Sequence, residues 1–178
     1  MLLQQVCHTY KVWHTFAVMK TATVNEIKQE LSAVSQAKLV QLCLRMAKFK
    51  KENKELLTYL LFEAQDEQAY IESVKKEMDG LFGEVNTSHV YFAKKTIRKI
   101  LRIANKHIRY MGSAQAETEL LLHFCGQLKD SGLPLHKNTV LANLYQNQWK
   151  KMYKTLQTLH EDLQYDYMKE VSRLEEKG

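Results

Sequence analysis

The chain has 178 residues, 45% of them apolar and 26% charged, with a formal net charge of +6; this is enough chain for a hydrophobic core without disulfide or metal staples. Six glycines and one proline are too few for the many turns of a β-rich fold, so the composition predicts few, long elements, which are helices. No apolar run reaches the ~20 residues of a membrane-spanning helix, so integral membrane association is not expected.

The three cysteines, Cys7, Cys43 and Cys125, form no CxxC or Cys/His zinc spacing. Cys43 and Cys125 lie in apolar stretches, where a free thiol is expected to act as a small hydrophobe. Free thiols point to a reducing compartment, so a cytoplasmic location is expected.

Residues 1–22 read as a leader. Two interpretations have equal weight: Met19 is the natural initiator and the preceding residues a loose or over-extended start, or a short helix packs Val12, Trp13 and Phe16 on the domain. The stretch lacks the basic start, long apolar centre and small-residue cleavage site of a secretory signal. Residues 23–178 are expected to form a single helical domain.

Thr23-Val-Asn-Glu26 is a capping box that opens the first helix, with Val24, Ile27, Leu31 and Val34 at helical spacing. Ser35 can cap the second, which carries Leu39, Leu42, Cys43, Met46 and Phe49 and ends in Lys48, Lys50 and Lys51. Asn53 can cap a third and Asp66 a fourth, though with neither glycine nor proline between them the two can also run as one. Thr87 or Ser88 caps the next, which runs to about Met111 and stops at Gly112. Ser113 caps a sixth, ended by Ser131-Gly132-Leu133-Pro134. Asn138 or Thr139 opens the last helix and no breaker follows, so it is expected over 138–175, with 164–178 projecting or frayed. The expected fold is therefore an all-α, antiparallel bundle of six or seven helices, with a short solenoid-like stack of helical hairpins as the alternative.

Charge is unevenly spread. Residues 87–112 hold Lys94, Lys95, Arg98, Lys99, Arg102, Lys106 and Arg109 and no acid. On a wheel at about 100° per residue these seven fall within roughly 140°, opposite Ile97, Ile100, Leu101, Ile103, Ala104 and Ile108. An ordinary solvated face mixes signs, whereas here like charges repel. In the simplest reading, acids of the preceding segment (Glu63, Asp66, Glu67, Glu72, Glu77, Asp79, Glu84) face the stripe. In the second, nucleic-acid phosphates supply the missing charge. In the third, an acidic protein, an anionic lipid surface or a small polyanion does. Lys48, Lys50, Lys51 and Lys54 would enlarge the patch if they lie alongside. No aromatic platform for unpaired bases is evident beside the stripe.

Tyr145, Trp149, Met152 and Leu156 repeat at spacings of three and four on the last helix. They form either a core face or a partner surface, including one for a second copy of the chain. His89 and His107 are placed on the apolar side of their helix, as core histidines. Glu119 and His123 stand four apart, but no Glu-x-x-His pair accompanies them, so no metal is expected. No phosphate loop, Gly-x-Ser-x-Gly or His-Glu-x-x-His motif occurs, so no cofactor or catalytic residue is assigned. The sequence favours a non-enzymatic binding or scaffold module over an enzyme without a recognisable motif, with nucleic acid or an acidic protein as partner.

Overall fold

The computed structural model describes residues 20–176; the alternatives for residues 1–18 lie outside them. Eight α-helices are present, with no strand among the described residues: α1 (Val24–Ala33), α2 (Gln36–Phe49), α3 (Lys51–Thr58), α4 (Glu67–Gly83), α5 (Val90–Met111), α6 (Ala114–Asp130), α7 (Thr139–Leu156) and α8 (Glu161–Glu176). The chain divides into two compact units, 1–46 and 47–178, with the division inside α2.

In the first unit the capping box forms as its sequence dictates. Glu26 N–H donates to Thr23 Oγ1 at 3.3 Å, and Thr23 N–H donates to Glu26 Oε2 at 2.7 Å. Ser35 Oγ accepts from Lys38 N–H at 3.4 Å at the start of α2. Neither helix has a buried residue. Val24, Ile27 and Leu31 remain exposed, and so does Cys43, which does not act as a core hydrophobe.

The second unit is built around α6. This helix is apolar over about two thirds of its circumference, with Ala116, Leu120, Leu121, Leu122, Phe124, Cys125 and Leu128 buried, as expected of a helix packed on several sides. Helices α4, α5, α7 and α8 pack against it. Thr118, buried among them, donates its hydroxyl to Ala114 O at 2.9 Å and leaves no unmet polar group. Burial pushes the Cys125 thiol up to about 12. Ile71, Val74, Met78 and Phe82 of α4 complete the core from one side.

Several boundaries differ from the sequence expectation. Lys50, not Asn53, stands at the N-cap of α3, and it makes no side-chain cap bond. The α3 and α4 segments are separate: Tyr59–Glu63 form a π-helical turn, closed by Ala64 N–H to Tyr59 O at 2.9 Å, and Asp66 caps α4 through Ala69 N–H. His89, rather than Thr87 or Ser88, is the N-cap of α5.

The expected long last helix is two helices. It breaks after Leu156 without glycine or proline, because side chains take the freed carbonyls: Gln164 Nε2 donates to Leu159 O at 2.7 Å and Gln157 O at 3.3 Å, and Thr158 Oγ1 to Thr155 O at 2.7 Å. The turn folds α8 back on α6, where Tyr167 and Val171 are buried and Lys129 donates to Leu174 O. The helical part of 164–178 therefore packs rather than projects.

Candidate nucleic-acid interface

Helix α5 is positioned by its apolar face. Ala93, Ile97, Ile100, Ala104 and Ile108, at steps of three and four, are all buried against neighbours that include α4 and α6. Gly112 ends the helix in the left-handed conformation at φ 61°, its N–H bonded to Ile108 O. With one face fixed in the core, the opposite face must be presented outward, and that face carries the cations.

The structure places all seven on that face. Lys95, Arg98, Lys99, Arg102 and Arg109 are exposed, and Lys94 and Lys106 are half-buried. The acids of 63–84 do not meet them. Glu72 pairs with Lys75 at 2.9 Å, Asp79 with His123 at 2.6 Å, and Glu77 faces His107 at 3.7 Å. Among the described residues the one ion pair to the stripe is Lys106 Nζ–Glu55 Oε2, 3.0 Å, and its acid comes from α3. Bonds from Lys106 and then Tyr110 hold the Glu55 carboxyl below its ordinary range, so this acid is charged at neutral pH. Among the described residues the other six cations have no carboxylate within ion-pair distance.

The stripe floors a broad, shallow groove of about 1300 Å³, lined by Lys94, Lys95, Arg98, Lys99, Arg102 and Arg109 and edged by Glu52 of α3. Lys106 also lines a neighbouring pocket of about 540 Å³ with Lys51 and Lys54, so these two lysines lie near the stripe's C-terminal end. One aromatic residue lies in the groove itself. Tyr91, the second residue of α5, is 73% exposed and lines it beside Lys94 and Lys95. Phe92 is 54% exposed and stands edge-on to Tyr91, with ring centroids 5.4 Å apart, and to His89, 6.1 Å apart. An aromatic group does accompany the stripe, then, contrary to the sequence expectation, and exposed His89 belongs to it rather than to the core.

The neighbouring pocket holds Tyr59, Tyr70, His107 and Tyr110. Tyr70 Oη and His107 Nδ1 are 2.7 Å apart, and Tyr110 Oη donates to Glu55 Oε2 at 2.8 Å. Desolvation, and next the Lys106 charge, push His107 below its ordinary value; burial first of all pushes Tyr70 up to about 12. At neutral pH the tyrosine is a hydroxyl and the imidazole is neutral; in the tautomer with Nε2–H toward Glu77, Nδ1 accepts the hydroxyl's hydrogen bond. Tyr70 with His107, and Tyr110 with Glu55, are thus hydrogen-bonded to one another.

The remaining candidates are likewise placed. Met152 and Leu156 are core residues, while Tyr145 and Trp149 are half-buried and stacked on each other at 5.8 Å. Glu119 is bound by Lys75 at 2.5 Å, Gln68 and Tyr167; His123 is bound by Asp79, so the two do not converge. Among the described residues no group of three or more His, Cys, Asp or Glu side chains could hold a metal ion, and no helix is long and apolar enough to cross a membrane. The chain matches no protein-family model, no curated protein and no solved structure.

Proposed function

We propose that this protein is a cytoplasmic, non-enzymatic module that binds the phosphate backbone of nucleic acid along α5. The observation that carries the reading is the set of six exposed or half-exposed cations, Lys94, Lys95, Arg98, Lys99, Arg102 and Arg109, without an acidic partner among the described residues. A run of positive charge about 22 Å long from Lys94 to Arg109 matches the periodic negative charge of a phosphodiester chain. Such contacts hold and orient a polymer without reading its sequence. Arginine adds planar bidentate donors suited to phosphate oxygens.

The test is a titration of labelled duplex and single-stranded probes at several salt concentrations, beside the variant Arg98→Glu/Arg102→Glu checked for folding by circular dichroism. Micromolar or tighter binding that weakens steeply with salt and is lost in the variant is expected. No binding at low salt, or binding indifferent to the double reversal, would sink the reading.

A further inference from the structure

We infer that the groove on α5 takes single-stranded nucleic acid in preference to duplex, with Tyr91 stacking on an unpaired base. This rests on the backbone-binding reading above and adds the class of polymer to it.

The position of Tyr91 is the first argument. At about 100° per residue, Tyr91 lies within roughly 20° of the midline of the seven cations: Arg109 falls at the same angle, with Arg98 and Arg102 about 20° to either side. The ring therefore stands at the N-terminal end of the charged track, at the head of a line about 27 Å long. A strand whose phosphates follow the cations brings its terminal base over that ring.

The second argument is exposure. A tyrosine on the first turn of a helix can fold back on the core, but this one is 73% exposed, and Phe92 beside it 54%. Phe92 meets Tyr91 with its plane at 78° to it and His89 at 86°, so the Tyr91 ring is contacted edge-to-face rather than covered by a parallel ring. Among the described residues no hydrogen bond of the Tyr91 hydroxyl ties the ring down. Aromatic faces left open beside a cationic track are what sequence-tolerant single-strand sites use, because every base has a π-face.

The third is shape. α3 approaches α5 toward its C-terminal end, where Glu55 meets Lys106 and Tyr110, and Glu52 lines the groove. A helix that enters the major groove of a duplex must stand clear of its neighbours to fit a channel ~12 Å wide. Paired bases stacked inside a duplex offer no face to Tyr91, whereas the bases of a single strand do.

The experiment is fluorescence anisotropy with three 12-unit probes, a mixed-sequence DNA strand, the corresponding duplex, and the same strand with abasic sites throughout. Each is titrated against wild type, Tyr91→Ala, Tyr91→Trp and Arg98→Glu/Arg102→Glu. Wild type should bind the base-bearing strand more tightly than the duplex or the abasic strand. Tyr91→Ala should weaken the base-bearing strand by about 5- to 100-fold and leave the abasic strand and duplex nearly unchanged, and Tyr91→Trp should retain the preference. Equal binding of base-bearing and abasic strands, or no effect of Tyr91→Ala, overturns the inference while a loss in the double reversal keeps the backbone reading. If the double reversal changes nothing, or wild type binds no probe, both fall. Tyr91 is exposed and outside the core, so its variants are expected to fold.

Discussion

Replacing Glu55 with Gln tests the interface by gain rather than loss. Glu55 Oε2 holds Lys106 Nζ at 3.0 Å and the Tyr110 hydroxyl at 2.8 Å. Gln keeps an oxygen for Tyr110, removes the charge, and frees Lys106 for a phosphate. On the wheel Lys95, Arg98, Arg102 and Arg109 lie within about 40° of the stripe's midline, and Lys94 and Lys99 within about 80°. On the proposed function the wild-type surface should therefore engage about four to six phosphates. At about −0.7 per phosphate on a single strand, log affinity should fall with log salt at a slope near −3 to −4, a loss of about 50- to 300-fold between 50 and 200 mM. Glu55→Gln should steepen that slope by about 0.7 and tighten binding at low salt. Lys106→Gln alone should change little, because its charge is already paired, but in the Glu55→Gln background it should remove the gain. Anisotropy at three salt concentrations, run as a double-mutant cycle, measures this coupling. An unchanged or shallower slope in Glu55→Gln would refute the assignment of Lys106 and Glu55 to the interface.

Two further predictions concern stability. In the folded chain, desolvation and then Lys106 hold the His107 imidazole below 6.5 against the pull of Glu77 and Glu55. The unfolded chain therefore binds the proton first as pH falls, and His107 contributes stability that is full above about pH 6.5 and is lost as pH drops through the folded value. Thermal unfolding between pH 7 and pH 5 should show a steeper loss in wild type than in His107→Gln; parallel curves would contradict the lowered value. The glycines should give opposite signs in urea unfolding. Gly112→Ala forces a left-handed residue at φ 61° and should destabilise by about 1 kcal/mol. Gly80→Ala, inside α4 with nothing within 4 Å of the added Cβ, should stabilise by about 0.5–1 kcal/mol.

What the sequence made legible was local. Thr23 with Glu26, Ser35, Asp66, Ser113 and Asn138 all accept the cap bonds that their positions imply, because a cap needs only a residue and a backbone three positions away. The amphipathic face of α5 was legible for the same reason. The break at Gln157–His160 was not, since it depends on Gln164 reaching back seven residues to a carbonyl rather than on a breaker. Nor was the partner of Lys106: pairing by sequence proximity favours the acids of α4, but packing brings Glu55 across from α3, 51 positions away. Those α4 acids turn instead to Lys75, His107 and His123. Tyr91 could have been found from the sequence by starting the wheel one turn before Lys94. Its exposure could not, because a tyrosine is as compatible with a core edge as with solvent.

The energetics of α5 separate what the fold needs from what it carries. Seven like-charge pairs stand three or four residues apart, from Lys94–Arg98 to Lys106–Arg109. At about 0.2–0.5 kcal/mol each, they destabilise the helix by roughly 1.5–3.5 kcal/mol. Burying Ile97, Ile100 and Ile108 on the opposite face contributes about 1.5–3 kcal/mol per side chain, which exceeds the repulsion. The helix is thus formed by its apolar face despite its polar one, and no feature of the core requires that face to be cationic. A mixed surface would fold at least as well and would gain i,i+4 pairs. Domains of this size have ~5–15 kcal/mol of stability in all, so a repulsion of this order is a substantial fraction to carry without use. Surfaces that cost stability in this way are typical of functional sites. On the proposed function the cost would be relieved by anions spaced along about four turns, as a phosphodiester chain supplies and a single acidic side chain such as Glu55 does not.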